Sequence, residues 1–238
     1  MTIRVGQARN NCHMIKAIQS NLGKGIYTPA EVAFYARVQT RTLNRWIFGN
    51  KTGESVLTPE LSSEEDRTLT FLDLIQSLAI RSIRTKHDIP LQKIRDAVRI
   101  SEERGISFPF ARNHTTFLYG DGEVVLKING DLIQASGRHK RNKMIKEVAQ
   151  LYLKDLTFDD DGLASKYVAW ESSGRKIVLN PKQRFGEPIV SGCGYSVSTL
   201  FDAYETEGSI ENAAKAYKVK PADIEVSLEY LDHLMRAA

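Results

Sequence analysis

Apolar residues near the front of the chain fall into two short sets at helical spacing, Val32, Ala33 and Ala36, then Leu43, Trp46 and Ile47. Thr28, Pro29 and Glu31 form a Thr-x-x-Glu capping box with proline at the first helical position, so a helix opens at residue 29 and closes near Ala36. Arg37-Val38 makes a tight turn, and a second helix starts at about Thr40. With Leu43 and Trp46 turned inward, Thr40, Arg41, Asn44 and Arg45 are left on the outer face. That is the part of a recognition helix that enters a major groove, and these donors suit phosphates and purine edges.

Ahead of this pair, Ile15, Ile18 and Leu22 give a weaker amphipathic segment. Behind it, the turn-rich stretch Asn50 to Pro59 ends in Val56-Leu57, where a short wing is expected with Lys51 placed to reach a phosphate. From Leu61 the helical period returns. Ser62 or Ser63 is expected to cap an acidic first turn (Glu64, Glu65, Asp66), followed by a stripe of Leu69, Leu72, Ile75, Leu78, Ala79 and Ile83. Asp88-Ile89-Pro90 breaks that helix, and Leu91, Ile94, Ala97 and Val98 carry another to Gly105, a C-cap signal.

At Phe108-Pro109-Phe110 the composition shifts. Three apolar runs separated by Asp121-Gly122 and Asn129-Gly130 predict a three-stranded meander, since these dipeptides are strong hairpin-turn signals. A helix from Asn142 to about Leu153 is expected to cover it, and Lys166 to Trp170 to add a strand. From Arg175 a short strand leads through Asn180-Pro181, Gly186, Pro188 and Gly192 to three helices. They begin near Ser196, Ser209 and Pro221, with Val219 in the last turn, so the end of the chain holds a second helix-turn-helix-like hairpin.

The fold class expected is therefore α+β in three parts. Residues 1–107 would be a winged helix-turn-helix with two following helices, 108–172 an antiparallel β-meander with a covering helix, and 173–238 a three-helix module.

The residues Tyr27-Thr28, Glu31-Val32-Ala33, Val38, Thr42-Leu43 and Arg45-Trp46 resemble the MerR-type winged helix-turn-helix, with Arg37 where that family has a turn glycine and Gln39-Thr40 where it has Ser-Pro. The run Asn180-Pro181, Gly186-x-Pro188-Ile189, Gly192, Gly208-Ser209-Ile210-Glu211 and Tyr217-x-Val219 resembles the small trihelical C-terminal module of type II antitoxins, with Cys193-Gly194 replacing a threonine and an arginine. A chain carrying both ends looks like the VapB-type antitoxins that partner PIN-domain ribonucleases. The resemblance implies a repressor that binds its operator DNA and also neutralises a ribonuclease toxin encoded by a neighbouring gene. The DNA-binding residues would be Thr40, Arg41, Asn44, Arg45 and Lys51. A homodimer is expected, because one short helix reads too few base pairs for useful specificity. The alternative is a stand-alone MerR-like regulator whose β-rich module senses a ligand or dimerises.

Charge placement sharpens this. Residues 1–51 hold eight basic groups against one acid, Glu31, a net of +7, which leaves −3 for the other 187 residues of a 238-residue chain whose total is +4. A positive field on the helix-turn-helix end points to nucleic acid. Arg138 to Arg141 with Lys143 form a second basic cluster, for nucleic acid, an acidic partner or plain solvation.

The chemistry of enzymes is weakly represented. Cys12 and Cys193 stand alone, and His13, His87, His114, His139 and His233 have no partner at ligand spacing, so neither a disulfide nor a metal site is expected. Asp159-Asp160-Asp161-Gly162 lacks the spaced ligands of a calcium loop. Ser191-Gly192-Cys193-Gly194 is not a G-x-S-x-G elbow, and no phosphate-cradling G-x-x-x-x-G-K-[ST] occurs. No catalytic residue and no cofactor is expected. No run approaches the ~18 apolar residues of a membrane span, and the start lacks a signal peptide. The expected compartment is the cytoplasm.

Overall fold

A computed structural model describes residues 23–49, 53–61, 67–113, 115–120, 123–128, 131–136, 146–147 and 154–236. Among these residues the chain is α+β, with seven α-helices and two four-stranded antiparallel sheets.

Helices α1 (Pro29–Tyr35) and α2 (Thr40–Phe48) are the expected pair. Thr28 and Glu31 cap α1 reciprocally: the Glu31 N–H donates to Thr28 Oγ1 at 3.2 Å and the Thr28 N–H to Glu31 Oε2 at 2.7 Å. Helix α3 (Phe71–His87) starts well after the serines expected to cap it. Leu69 is held extended by a two-way bridge to Tyr27, 2.9 Å in each direction, which forbids a helix through it. The cap actually used is Thr70 with Asp73, the Thr70 N–H donating to Asp73 Oδ2 at 2.8 Å. Residues 62–66 lie outside the described ones. Asp88 ends α3 in the left-handed region, Ile89 is buried, and α4 (Leu91–Glu103) follows, closing before Gly105.

The meander forms as expected from β1 (Thr115–Gly120), β2 (Glu123–Ile128) and β3 (Asp131–Ser136). Its registers place Gly120 opposite Glu123 and Ile128 opposite Asp131, as two-residue connections require. The expected covering helix is contradicted at its centre: Lys146–Glu147 is a short strand, β4, paired with Tyr119 and Leu118 of β1. An open edge of backbone donors and acceptors competes with helix propensity there. The rest of that predicted helix lies outside the described residues.

The second sheet has the order β5 (Leu156–Phe158), β6 (Ala164–Ser172), β7 (Arg175–Leu179), β8 (Ile189–Val190). Behind it, α5 (Val197–Glu207), α6 (Ile210–Tyr217) and α7 (Pro221–Met235) form the expected trihelical end. Ser196 and Ser209 cap the first two of these, and Lys218 makes the left-handed turn into the third.

Two cores result. The first joins α1 to α4 and the turn Pro109–Ala111, but it also takes in Ala164 and Leu179 of the second sheet. The second packs α5 to α7 against Ile177 and Val190, with Phe34 and Tyr35 of α1 on its margin. Each fully buried Leu or Ile contributes about 1.5–3 kcal/mol. Helix α1 thus touches both cores, while α2 packs in the first.

Candidate nucleic-acid interface

Helix α2 owes its orientation to three side chains. Leu43, Trp46 and Ile47 are buried, and Leu43 has no exposed surface at all. The opposite face therefore points outward. Thr40, Arg41 and Arg45 are exposed, with Arg41 and Arg45 one turn apart. Among the described residues no carboxylate pairs with either arginine. Asn44 is half-buried instead, its carboxamide oxygen enclosed and without a hydrogen-bond partner. Lys51 lies outside the described residues.

Two features beyond the sequence reading shape this face. The Arg67 guanidinium lies 4.8 Å from the Phe48 ring centroid, a cation–π contact that brings another exposed cation to the C-terminal end of α2. No spacing rule links a residue of the 62–68 stretch to Phe48, so only the fold could reveal it. The loop after α2 is clamped by Arg95 of α4, which donates from Nε to the Ser55 carbonyl at 3.0 Å and from Nη2 to the Glu54 carbonyl at 2.9 Å. No strand forms at Val56-Leu57, where a short wing is expected. Both residues are buried, and their N–H groups converge on the Trp46 carbonyl at 2.5 and 3.1 Å, closing the end of α2.

The turn between α1 and α2 carries the second part of the site. Arg37 takes φ 54, the conformation that a turn glycine would adopt freely, and the Val38 N–H returns to the Ala33 carbonyl at 2.9 Å. The strain has a counterpart, since Arg37 Nη1 donates to His233 Nε2 of α7 at 2.6 Å. The accepting nitrogen must be unprotonated, so Nδ1 carries the proton. The His233 ring lies against Trp170 of β6, tilted by 39° with centroids 4.3 Å apart. Burial, then the charges of Arg37, Arg81 and Arg236, hold the His233 pKa below its ordinary value. Burial and Asp155 push the Tyr167 hydroxyl up to about 12, against the opposing pull of Arg81 and Arg37. The helix-turn-helix turn is thus tied to the trihelical module.

A second tie lies at the start of α1. The Tyr27 hydroxyl donates to the Gly186 carbonyl at 2.7 Å and the Ile26 N–H to the Phe185 carbonyl at 3.0 Å. Gly186 has φ 90, and a Cβ there would overlap the Tyr27 hydroxyl.

Nothing comparable gathers around the other candidates. Among the described residues no group of three His, Cys, Asp or Glu could hold a metal ion. The acidic run is an exposed turn in which Asp159 Oδ1 accepts the Leu163 N–H at 2.8 Å. Asp159 borders a cleft of about 130 Å³ with Lys24, Glu60 and Lys182, while Asp160 does not. Burial raises the Cys193 thiol pKa, and its Sγ points to the Val190 carbonyl at 3.9 Å. Cys12, His13, His114, His139, the 138–143 cluster and the segment around Ile15, Ile18 and Leu22 lie outside the described residues. No helix among the described residues is long and apolar enough to cross a membrane.

Residues 177–231, from β7 into α7, match a family described as a protein of unknown function (DUF433). A curated protein of Mycobacterium tuberculosis named "Putative antitoxin VapB45" is 23% identical over 227 residues, covering 86% of this chain and 92% of its own length. The two chains are distant homologues. The crystal structure of Rv2018 from Mycobacterium tuberculosis superposes with a TM-score of 0.61 at 20% identity, covering 85% of this chain and 96% of that one, which establishes a shared fold.

Proposed function

We propose that the chain is an antitoxin that represses its own operon. The exposed face of α2 docks in the major groove of operator DNA, with Arg41 and Arg45 on its phosphates, and a second surface grips a ribonuclease toxin. It is a binding protein, not an enzyme. The observation that carries the DNA half is the outward pair Arg41 and Arg45, without a carboxylate partner among the described residues, on a helix whose other face is pinned by Leu43, Trp46 and Ile47. The charge asymmetry of the first 51 residues supports it. The partner half is supported by similarity to a protein named as an antitoxin. A homodimer presenting two α2 helices would supply the length of site that one helix lacks.

Fluorescence anisotropy on a duplex from the gene's own promoter, against a scrambled duplex, tests the DNA half. Arg41→Ala with Arg45→Ala should weaken promoter binding by about tenfold or more and leave unfolding unchanged, since each base or phosphate contact is worth roughly 1–3 kcal/mol. Equal binding by the double variant sinks it. For the partner half, the product of the adjacent open reading frame should co-purify with the full chain. Failure to do so favours a stand-alone regulator.

A further inference from the structure

Three large apolar side chains stand exposed among the described residues, Ile26, Phe185 and Met235, at 42%, 60% and 61% of their full surface. Met235 ends α7, where exposure needs no cause. Ile26 and Phe185 are neighbours, joined by the hydrogen bond from the Ile26 N–H to the Phe185 carbonyl. Together they make one apolar knob where the entry to α1 meets the loop between β7 and β8.

The backbone makes this knob unusual. Arg184 and Phe185 take φ of 44 and 54, and Gly186 follows at 90, so three successive residues are left-handed and only the last is glycine. Such strain persists where surroundings over-determine it, and the pins here are visible. The Gly186 N–H donates to the Gln183 carbonyl at 2.9 Å and the Glu187 N–H to the Arg184 carbonyl at 3.1 Å. Tyr27 holds the Gly186 carbonyl, and Arg184 Nε reaches the Gly194 carbonyl at 3.2 Å. Hydrophobic collapse alone gives no reason to hold an aromatic ring outward against backbone preference. A rigid aromatic held out in advance is, however, the usual anchor of a protein interface, since little freedom is lost on binding.

The charges beside the knob indicate what it meets. Lys182 and Arg184 are exposed with Glu187 the acid between them and β8, while Lys24 is already paired with Glu60 at 2.7 Å. Asp159 shares a cleft with Lys182, and among the described residues neither Lys182 nor Arg184 is held in an ion pair, which leaves both cations available.

We propose that Phe185 and Ile26 are the apolar anchor of a docking surface for the protein partner of the antitoxin reading. That partner would present an apolar pocket edged by carboxylates, which receives Phe185 and pairs with Lys182 and Arg184. The inference rests on that reading for the existence of a partner, and it is separable from it.

The test uses the full-length chain and the purified product of the adjacent open reading frame, with binding measured by calorimetry. Phe185→Gly relieves the left-handed strain, so its melting temperature should equal or exceed that of the wild type while partner affinity falls by about tenfold or more. A second variant away from the strained residues and their pins, Lys182→Glu, should slow association and weaken binding in the same direction. DNA affinity of Phe185→Gly should be unchanged. Partner binding by both variants within about twofold of wild type, a change of less than 0.5 kcal/mol, overturns the inference and leaves the antitoxin reading intact. Loss of a homodimer in light scattering on Phe185→Gly, or loss of DNA binding, also overturns it by assigning the knob another occupant. No binding by the wild type removes the antitoxin reading, and this inference with it.

Discussion

Replacing Gly186 with alanine should break the tie between the helix-turn-helix and the trihelical module, and the geometry sets the size of the effect. At φ 90 an L side chain is strained, at a cost of about 1–2 kcal/mol. The added Cβ overlaps the Tyr27 hydroxyl and lies 2.8 Å from its Cζ, so the ring must move. Moving it breaks the buried 2.7 Å bond to the Gly186 carbonyl, and two buried polar groups left without partners cost roughly another 1–3 kcal/mol. The expected loss is therefore about 2–5 kcal/mol of unfolding free energy, a large fraction of a domain's stability. Urea unfolding followed by tryptophan fluorescence suits the question, because Trp46 lies in the first core and Trp170 packs on the second. Tyr27→Phe alone should cost less, and the double variant should lose less than the sum of the singles, since removing the hydroxyl removes the worse of the two overlaps. A Gly186→Ala protein within about 0.5 kcal/mol of wild type, or strict additivity in the cycle, would refute the reasoning.

Three further outcomes follow from the geometry. Burial pushes the Asp73 carboxyl up to about 6, outweighing the hydrogen bonds from Thr70, so the folded state holds that proton more tightly than the unfolded one. Its contribution is full below about pH 4 and lost as pH rises through about 6; Asp73→Asn should flatten this segment of a urea-midpoint profile, and an unchanged slope would contradict the assignment. His233 is the opposite case, its pKa depressed by burial and then by Arg37, Arg81 and Arg236. Stability is full above the ordinary imidazole pKa of about 6.5 and declines as pH falls through the lower folded value, a decline that His233→Gln should abolish in the same assay. Arg95→Ala frees two carbonyls of the loop after α2; amide exchange of residues 54–57 should quicken while that of α1 does not, and unchanged exchange at the loop would show that the clamp is idle.

How far the sequence foretells this fold depends on the range of the interaction that decides each element. Caps are local, so Thr28 with Glu31, Ser196 and Ser209 place three helix starts correctly. The start of α3 went astray because Ser62, Ser63 and Thr70 are all good caps. What chose Thr70 was a bridge from Leu69 to Tyr27, 42 residues back in the chain. Strands β5 and β8, of three and two residues, are too short to show a period. The face of α2 is legible because three inward residues fix it, whereas the half-burial of Asn44 is not, since position on the helix alone cannot tell how far a neighbouring element covers it. Arg37 announced itself as a strained turn residue. Its partner His233 is 196 positions away, and no local pattern joins them.

The central claim is that α2 offers its outer face to duplex DNA, and the salt dependence of binding measures this directly. Log affinity for the promoter duplex, plotted against log salt concentration, should fall linearly for the wild type, and the slope should shrink by about 2 when Arg41 and Arg45 become alanine, since each phosphate neutralised contributes about 0.9. Identical slopes for wild type and double variant would place the DNA contact elsewhere and contradict the account.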